Sequence, residues 1–147
     1  MLYLQEFEIL DDDGMFVALP FDFDGGTQGA TFEEACEMAL DWLRTELEQR
    51  AICGERLPRY TIGNEPREGG RIVLLGTDAG IESVRGVLPS EAARMLGVTP
   101  GRITQMVSAG QLQPFCRGGR TLITLDSVEA RAAAAPKSGR PRKQQLA

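Results

Sequence analysis

From Leu2 to Leu10, Tyr3, Phe7 and Ile9 fall on one parity and Glu6 and Glu8 on the other. A period of two with the acids on one side predicts a half-buried strand whose glutamates face water. Asp11 to Gly14 is an acidic turn ending in Asp13-Gly14, a pair suited to a tight hairpin. Met15 to Leu19, short and apolar, predicts the returning strand, which Pro20 ends. The glycine-rich stretch 25–30 leaves room for a short edge strand.

The period then changes to that of a helix. Thr31 to Glu34, "TFEE", is a capping box in which hydroxyl and carboxylate satisfy each other's backbone amides. Phe32, Ala35, Cys36, Ala39, Leu40, Leu43 and Leu47 recur at helical spacing, with Glu33, Glu37, Asp41, Arg44 and Glu48 on the far side. The helix should end near Arg50, and its stripe must lie on the sheet to be stable. Residues 54–70 hold two prolines and read as a loop. Arg71 to Leu75 is a further apolar strand. The order β-β-(β)-α-β predicts a small α+β sandwich over 1–75. Residues 76–86 read as a linker, across which Ile81 to Val84 can extend structure.

A second module is expected over 87–134. Ser90 is the expected cap of a short helix with Ala92, Ala93 and Leu96 inward, ended by left-handed Gly97. Thr99 caps the next helix and Pro100 fits its first turn. Ile103, Met106 and Val107 form its inner stripe, and Gly110 stops it. A hairpin follows with Gly118-Gly119 at its tip, flanked by Arg117 and Arg120. Asp126, with Glu129 at the box position, is the expected cap of a last helix. Residues 135–147 are basic and poor in apolar side chains, which predicts a disordered tail.

Charge sharpens this division. The net charge of −5 conceals a strong asymmetry. Residues 1–86 set seven arginines against 18 acids, a balance of −11, while residues 87–147 set nine basic residues against three acids, a balance of +6. The second half suits a polyanion and the first a basic protein. The chain has no histidine, which removes Ser-His and Cys-His pairs and histidine-ligated zinc. Cys36, Cys53 and Cys116 fit neither a zinc pattern nor a disulfide framework. Neither metal nor cofactor is expected. No apolar run approaches the ~20 residues of a membrane span, and "MLYLQEFEIL" lacks the basic start of a signal peptide. A cytoplasmic protein with no membrane partner is the expectation.

Two resemblances add to this reading. "SEAARMLGV", "TPGRITQMV", "SAGQL", the basic hairpin and the helix after it resemble the winged helix-turn-helix of excisionase and MerR-type DNA-binding domains. Residues 1–75 resemble the HicB-type antitoxins through "VALPFDFDG", "TQGATFEEACEMALDWL" and "LPRYTI". That resemblance implies a partial ribonuclease-H-like fold without nuclease activity, a small basic mRNA-cleaving toxin as partner, and repression of its own operon. The winged module departs from the ribbon-helix-helix or plain repressor-type domains commoner in that family.

The second helix presents Gly101, Arg102, Thr104, Gln105 and Ser108 outward. Arg102 can pair with guanine and Gln105 with adenine in the major groove. Thr99 and Ser90 are placed for phosphates, although each is equally an N-cap. Arg117 and Arg120 suit phosphate or the minor groove. In the tail, Arg140, Arg142 and Lys143 lie in "SGRPRK", which resembles an AT-hook core, with general phosphate attraction the simpler reading. Asp11 to Asp13, Asp22 and Asp24 invite comparison with a two-metal nuclease. Three of them share one turn, and Glu37 and Asp41 lie off the apolar stripe, so an acidic surface is the better account. Trp42 at the stripe edge suits core packing; exposed, it would suit an interface.

The expected function is an antitoxin and autoregulator, not an enzyme, acting on operator DNA as a homo-oligomer, dimer or tetramer, since such modules bind spaced half-sites. The alternative is a DNA-binding regulator whose first module only oligomerises or senses. Deleting Pro136 to Ala147 removes four positive charges. Affinity for specific and random duplexes should fall together, with a shallower salt dependence; a salt titration with an unchanged slope would exclude phosphate contacts from the tail.

Overall fold

The computed structural model describes residues 1–134 of a mixed α+β chain. The tail expectation, with Arg140, Arg142 and Lys143, lies outside the described residues. The described residues divide into two compact units, Met1–Val84 and a second that begins at Arg85. No helix among the described residues is long and apolar enough to cross a membrane.

The first unit contains β1 (Leu2–Asp12), β2 (Met15–Pro20), β3 (Thr27–Gly29), α1 (Phe32–Cys53) and β4 (Arg71–Asp78). Its sheet has the order β3-β2-β1-β4 with every pair antiparallel. Asp13 and Gly14 take φ of 56° and 89°, so the β1–β2 turn uses only these two residues. Asp11 and Asp12 therefore belong to the strand, not to the turn. On one face Tyr3, Phe7, Ile9 and Ala18 meet Ala35, Ala39, Leu43 and Leu47 of α1. Burying each of those leucines contributes about 2 kcal/mol. The Thr31 cap forms as expected: its hydroxyl accepts from the Glu34 amide at 3.1 Å, and Glu34 reaches back to the Ala30 amide at 2.7 Å. The helix runs past Arg50 to Cys53, because Gly54 (φ 67°) is the first residue to leave the helical conformation. Trp42 is half-buried, edge-on to Phe7 and Phe23, as a packing residue.

The opposite face departs from the alternation. Glu6 and Glu8 do not face water; they are 5% and 2% exposed. The 54–70 loop folds over them and supplies donors. Glu6 accepts from the Gly63 and Asn64 amides (2.7 and 2.9 Å) and from Asn64 Nδ2 (2.8 Å). Glu8 accepts from the amides of Arg67 (2.9 Å), Glu68 (2.9 Å) and Gly70 (3.0 Å). Asp22 adds a third anchor, accepting from the Thr61 amide and hydroxyl, both at 2.9 Å. The Tyr3 hydroxyl ties the loop from the helix side by donating to the Pro58 carbonyl at 2.8 Å. Burial, followed by the charge of Asp22, pushes that hydroxyl up to about 12, so it stays a donor.

β4 continues three residues beyond the expected Leu75, through Asp78. Beyond it Ala79 and Val84 are buried and Ile81–Ser83 forms a 3-10 turn. Most of the expected 76–86 linker thus belongs to the first unit.

The second unit contains β5 (Gly86–Val87), α2 (Pro89–Leu96), α3 (Pro100–Ser108), β6 (Pro114–Arg117), β7 (Arg120–Thr124) and α4 (Leu125–Ala134). Its sheet has the order β5-β7-β6. Ala92, Ala93, Ile103, Met106, Leu112, Ile123 and Val128 form its core. Two expected caps shift. Ser90 lies inside α2, whose first helical residue is Pro89; Leu88 precedes it, and its amide is satisfied by Glu91 at 2.9 Å. Asp126 does not cap α4. Thr124 does, accepting from the Ser127 amide at 3.3 Å, which leaves Asp126 to pair with Arg85 at 2.6 Å.

Burial alone would raise the Glu6 and Glu8 carboxyls, but the loop donors outweigh it and hold both below the ordinary range. The unfolded value is about 4.3. The folded value is lower, so this stabilisation is complete above the unfolded value and disappears as pH falls through the folded one. Glu8→Gln, which turns a donor toward backbone amides, should lower unfolding stability by about 2–4 kcal/mol at pH 7. Between pH 7 and pH 3 it should lose less stability than the parent. Urea melts with equal midpoints at pH 7 would remove Glu8 from this role.

Candidate nucleic-acid interface

α2 and α3 are joined by a turn that the backbone closes tightly. The Gly97 amide donates to the Arg94 carbonyl (3.3 Å) and the Val98 amide to that of Ala93 (3.0 Å), with Gly97 at φ 65°. Thr99 then opens α3: its hydroxyl accepts from the Arg102 amide at 3.2 Å, and Pro100 takes the first helical position. Ile103 and Met106 turn inward. The Gln111 amide bonds the Met106 carbonyl at 2.8 Å, ending the helix around left-handed Gly110.

This leaves Gly101, Arg102, Thr104, Gln105 and Ser108 exposed on one side of α3. Arg102 and Gln105 come together, the guanidinium Nη1 donating to Gln105 Oε1 at 3.2 Å. The Thr104 hydroxyl lies 3.5 Å from the Pro100 carbonyl, a local back-bond that does not bury it. Thr99 is exposed and acts as the cap. At the hairpin tip Gly118 and Gly119 both have positive φ, 59° and 74°. Arg117 and Arg120 are therefore direct cross-strand partners. Like charges set opposite each other are unfavourable, and an anion between them would relieve that cost. The Arg117 guanidinium also lies 5.7 Å from the Phe115 ring centre.

Electrostatics favour the same surface. Residues 92–125 carry four arginines and no acid. Of the flanking acids, Glu91 is engaged with the Leu88 amide and Asp126 with Arg85. Exposed Arg94, on the last turn of α2, joins the basic set. Residue-by-residue reasoning missed it because it has no motif position; the charge map was its only signal.

The first unit offers different chemistry. Asp11 Oδ1 accepts from the Gly14 amide at 3.0 Å, while Asp22 serves the 54–70 loop. Among the described residues no three metal-ligating side chains converge. A shallow pocket is lined by Glu8, Leu19, Pro20, Phe21, Arg67 and Glu68, with the Arg67 guanidinium 4.8 Å over the Phe21 ring. The Cys36 thiol is raised by burial, then by Glu33, which keeps it protonated and unreactive. Comparison with protein-family models, with curated proteins and with solved structures gives no match.

Arg102→Ala should weaken binding to a cognate duplex by about 1–3 kcal/mol and relax preference at one base pair, with Gln105→Ala acting at another. Both variants matching the parent in a binding-site selection would remove α3 from sequence reading.

Proposed function

We propose that the chain is an antitoxin-type autoregulator. In this reading the second unit is a small winged helix-turn-helix that holds operator DNA. The first, of partial ribonuclease-H-like fold, captures and silences a small basic toxin. The observation that carries the reading is the separation of charge between two separately cored units. Met1–Val84 holds all but three of the 21 acids, whereas residues 92–125 hold none. A polyanion is attracted to the second unit and repelled by the first, and a cationic protein the reverse. The resemblance to HicB-type antitoxins falls within the first unit, and that to excisionase and MerR-type domains within the second.

On DNA, α3 would enter the major groove with Arg102 and Gln105 at base edges. The exposed Thr99 end and Arg117 and Arg120 would meet backbone phosphates. A palindromic operator would require a homo-oligomer.

The test is co-expression with the product of any short basic reading frame beside the gene. Residues 1–86 alone should restore growth and co-purify with that product, while repression of the operon should require residues 87–147. A folded fragment that neither binds nor rescues would leave only DNA-binding regulation.

A further inference from the structure

The edge of the first sheet has a feature that neither α1 nor the carboxylate-anchored loop explains. β4 closes the order β3-β2-β1-β4, so one side of its eight residues has no partner strand among the described residues. Long edges are ordinarily protected by an inward charge, a proline or a bulge. "RIVLLGTD" has none of these between Arg71 and Asp78, and it pairs with β1 without interruption.

The face beside this edge is apolar and open. Leu74 is 49% exposed, Leu2 61% and Ile62 56%. Leu2 and Leu74 lie on one face of the sheet, with Leu4 and Gly76 between them. Leu74 lies opposite Glu6, whose carboxylate holds the Gly63 amide next to Ile62. Leu2 and Leu4 reach over Gly76, where an added Cβ would lie 2.9 Å from the Leu4 side chain and 3.4 Å from that of Leu2. Asp78 lies opposite Leu2, and Glu65 is an exposed acid three residues after Ile62 in the loop. On the other face the Arg71 guanidinium at the head of β4 lies 4.8 Å over the ring of Phe32, which Glu33 and Glu34 follow in the first turn of α1.

We propose that the β4 edge and the Leu2–Ile62–Leu74 strip form the docking surface for a basic polypeptide that adds to the sheet as an extra strand. Main-chain hydrogen bonds to β4 would supply affinity. Alternate side chains would divide, apolar ones extending the leucine strip and cationic ones meeting the acids on the α1 side. Charge selects this occupant over a second copy of the first unit: Met1–Val84 sets 18 acids against six arginines, and two such units repel. The proposal names the surface for the protein-binding half of the reading above and rests on it, yet its test needs neither DNA nor the neighbouring gene.

The probe is a labelled peptide of about ten residues alternating valine and lysine, long enough to span β4. A valine–glutamate peptide is the control, and the full-length protein is used throughout. The valine–lysine peptide should bind and slow amide exchange in residues 71–78, and the control should not bind. Leu74→Lys should weaken binding about tenfold or more. Leu19→Lys adds the same charge on β2, on the far side of β1, and should stay within about twofold of the parent. Circular dichroism and thermal melts confirm that both variants fold. Equal losses in the two variants would reduce the effect to general charge attraction and overturn the proposal. Unprotected 71–78 amides would overturn it too, as would a dimer in sedimentation that Leu74→Lys dissolves, which would make the occupant a second copy.

Discussion

Glu6 and Glu8 are two residues apart on the central strand of the first sheet, and their carboxylates gather five backbone amides of the loop that crosses it. A carboxylate taken out of water is costly unless several donors replace the lost hydration. Here the donors come from a segment with no strand or helix of its own between Gly54 and Arg71. Each requires the other: without the loop the acids would be buried and unpaired, and without the acids the loop amides would have no acceptors. One face of the sheet is held by leucine and alanine against α1 and the other by charge-assisted hydrogen bonds. β4, which follows the loop directly, is delivered to β1 in register by this arrangement.

Much of the architecture can be read from local chemistry. Thr31, Thr99, the Asp13-Gly14 and Gly118-Gly119 turns and the inward stripes of α1 and α3 each follow from a rule acting over a few residues. The failures share a cause. Alternation assigns Glu6 and Glu8 to solvent because it sees one strand at a time and knows nothing of a loop about 60 residues away. A loop rich in glycine amides, paired with two acids on an apolar strand, is the signal that was present. Asp126 and Ser90 are good caps by composition, but the ends of β7 and the position of Pro89 decide where each helix starts. The same limit applies at the candidate interface: composition shows an acid-free basic stretch, and only the fold sets Arg117 against Arg120 and Arg102 beside Gln105.

The two units differ in electrostatic sign. In the second, Glu91 and Asp126, the acids that flank residues 92–125, are held by local contacts. In the first, Glu6 and Glu8 are consumed by structure, and Asp78 ends the open strand β4. In the proposed reading each unit attracts a partner of opposite charge.

The central claim is that nucleic acid meets the second unit alone. Amide-exchange mapping of the full-length protein, free and bound to duplex DNA from upstream of its own gene, tests this directly. The account predicts slowed exchange across residues 99–108 and 114–124, weakening as salt rises, and unchanged exchange across residues 1–84. Protection concentrated in residues 1–84, or bound DNA that leaves 99–108 unaltered, would contradict it.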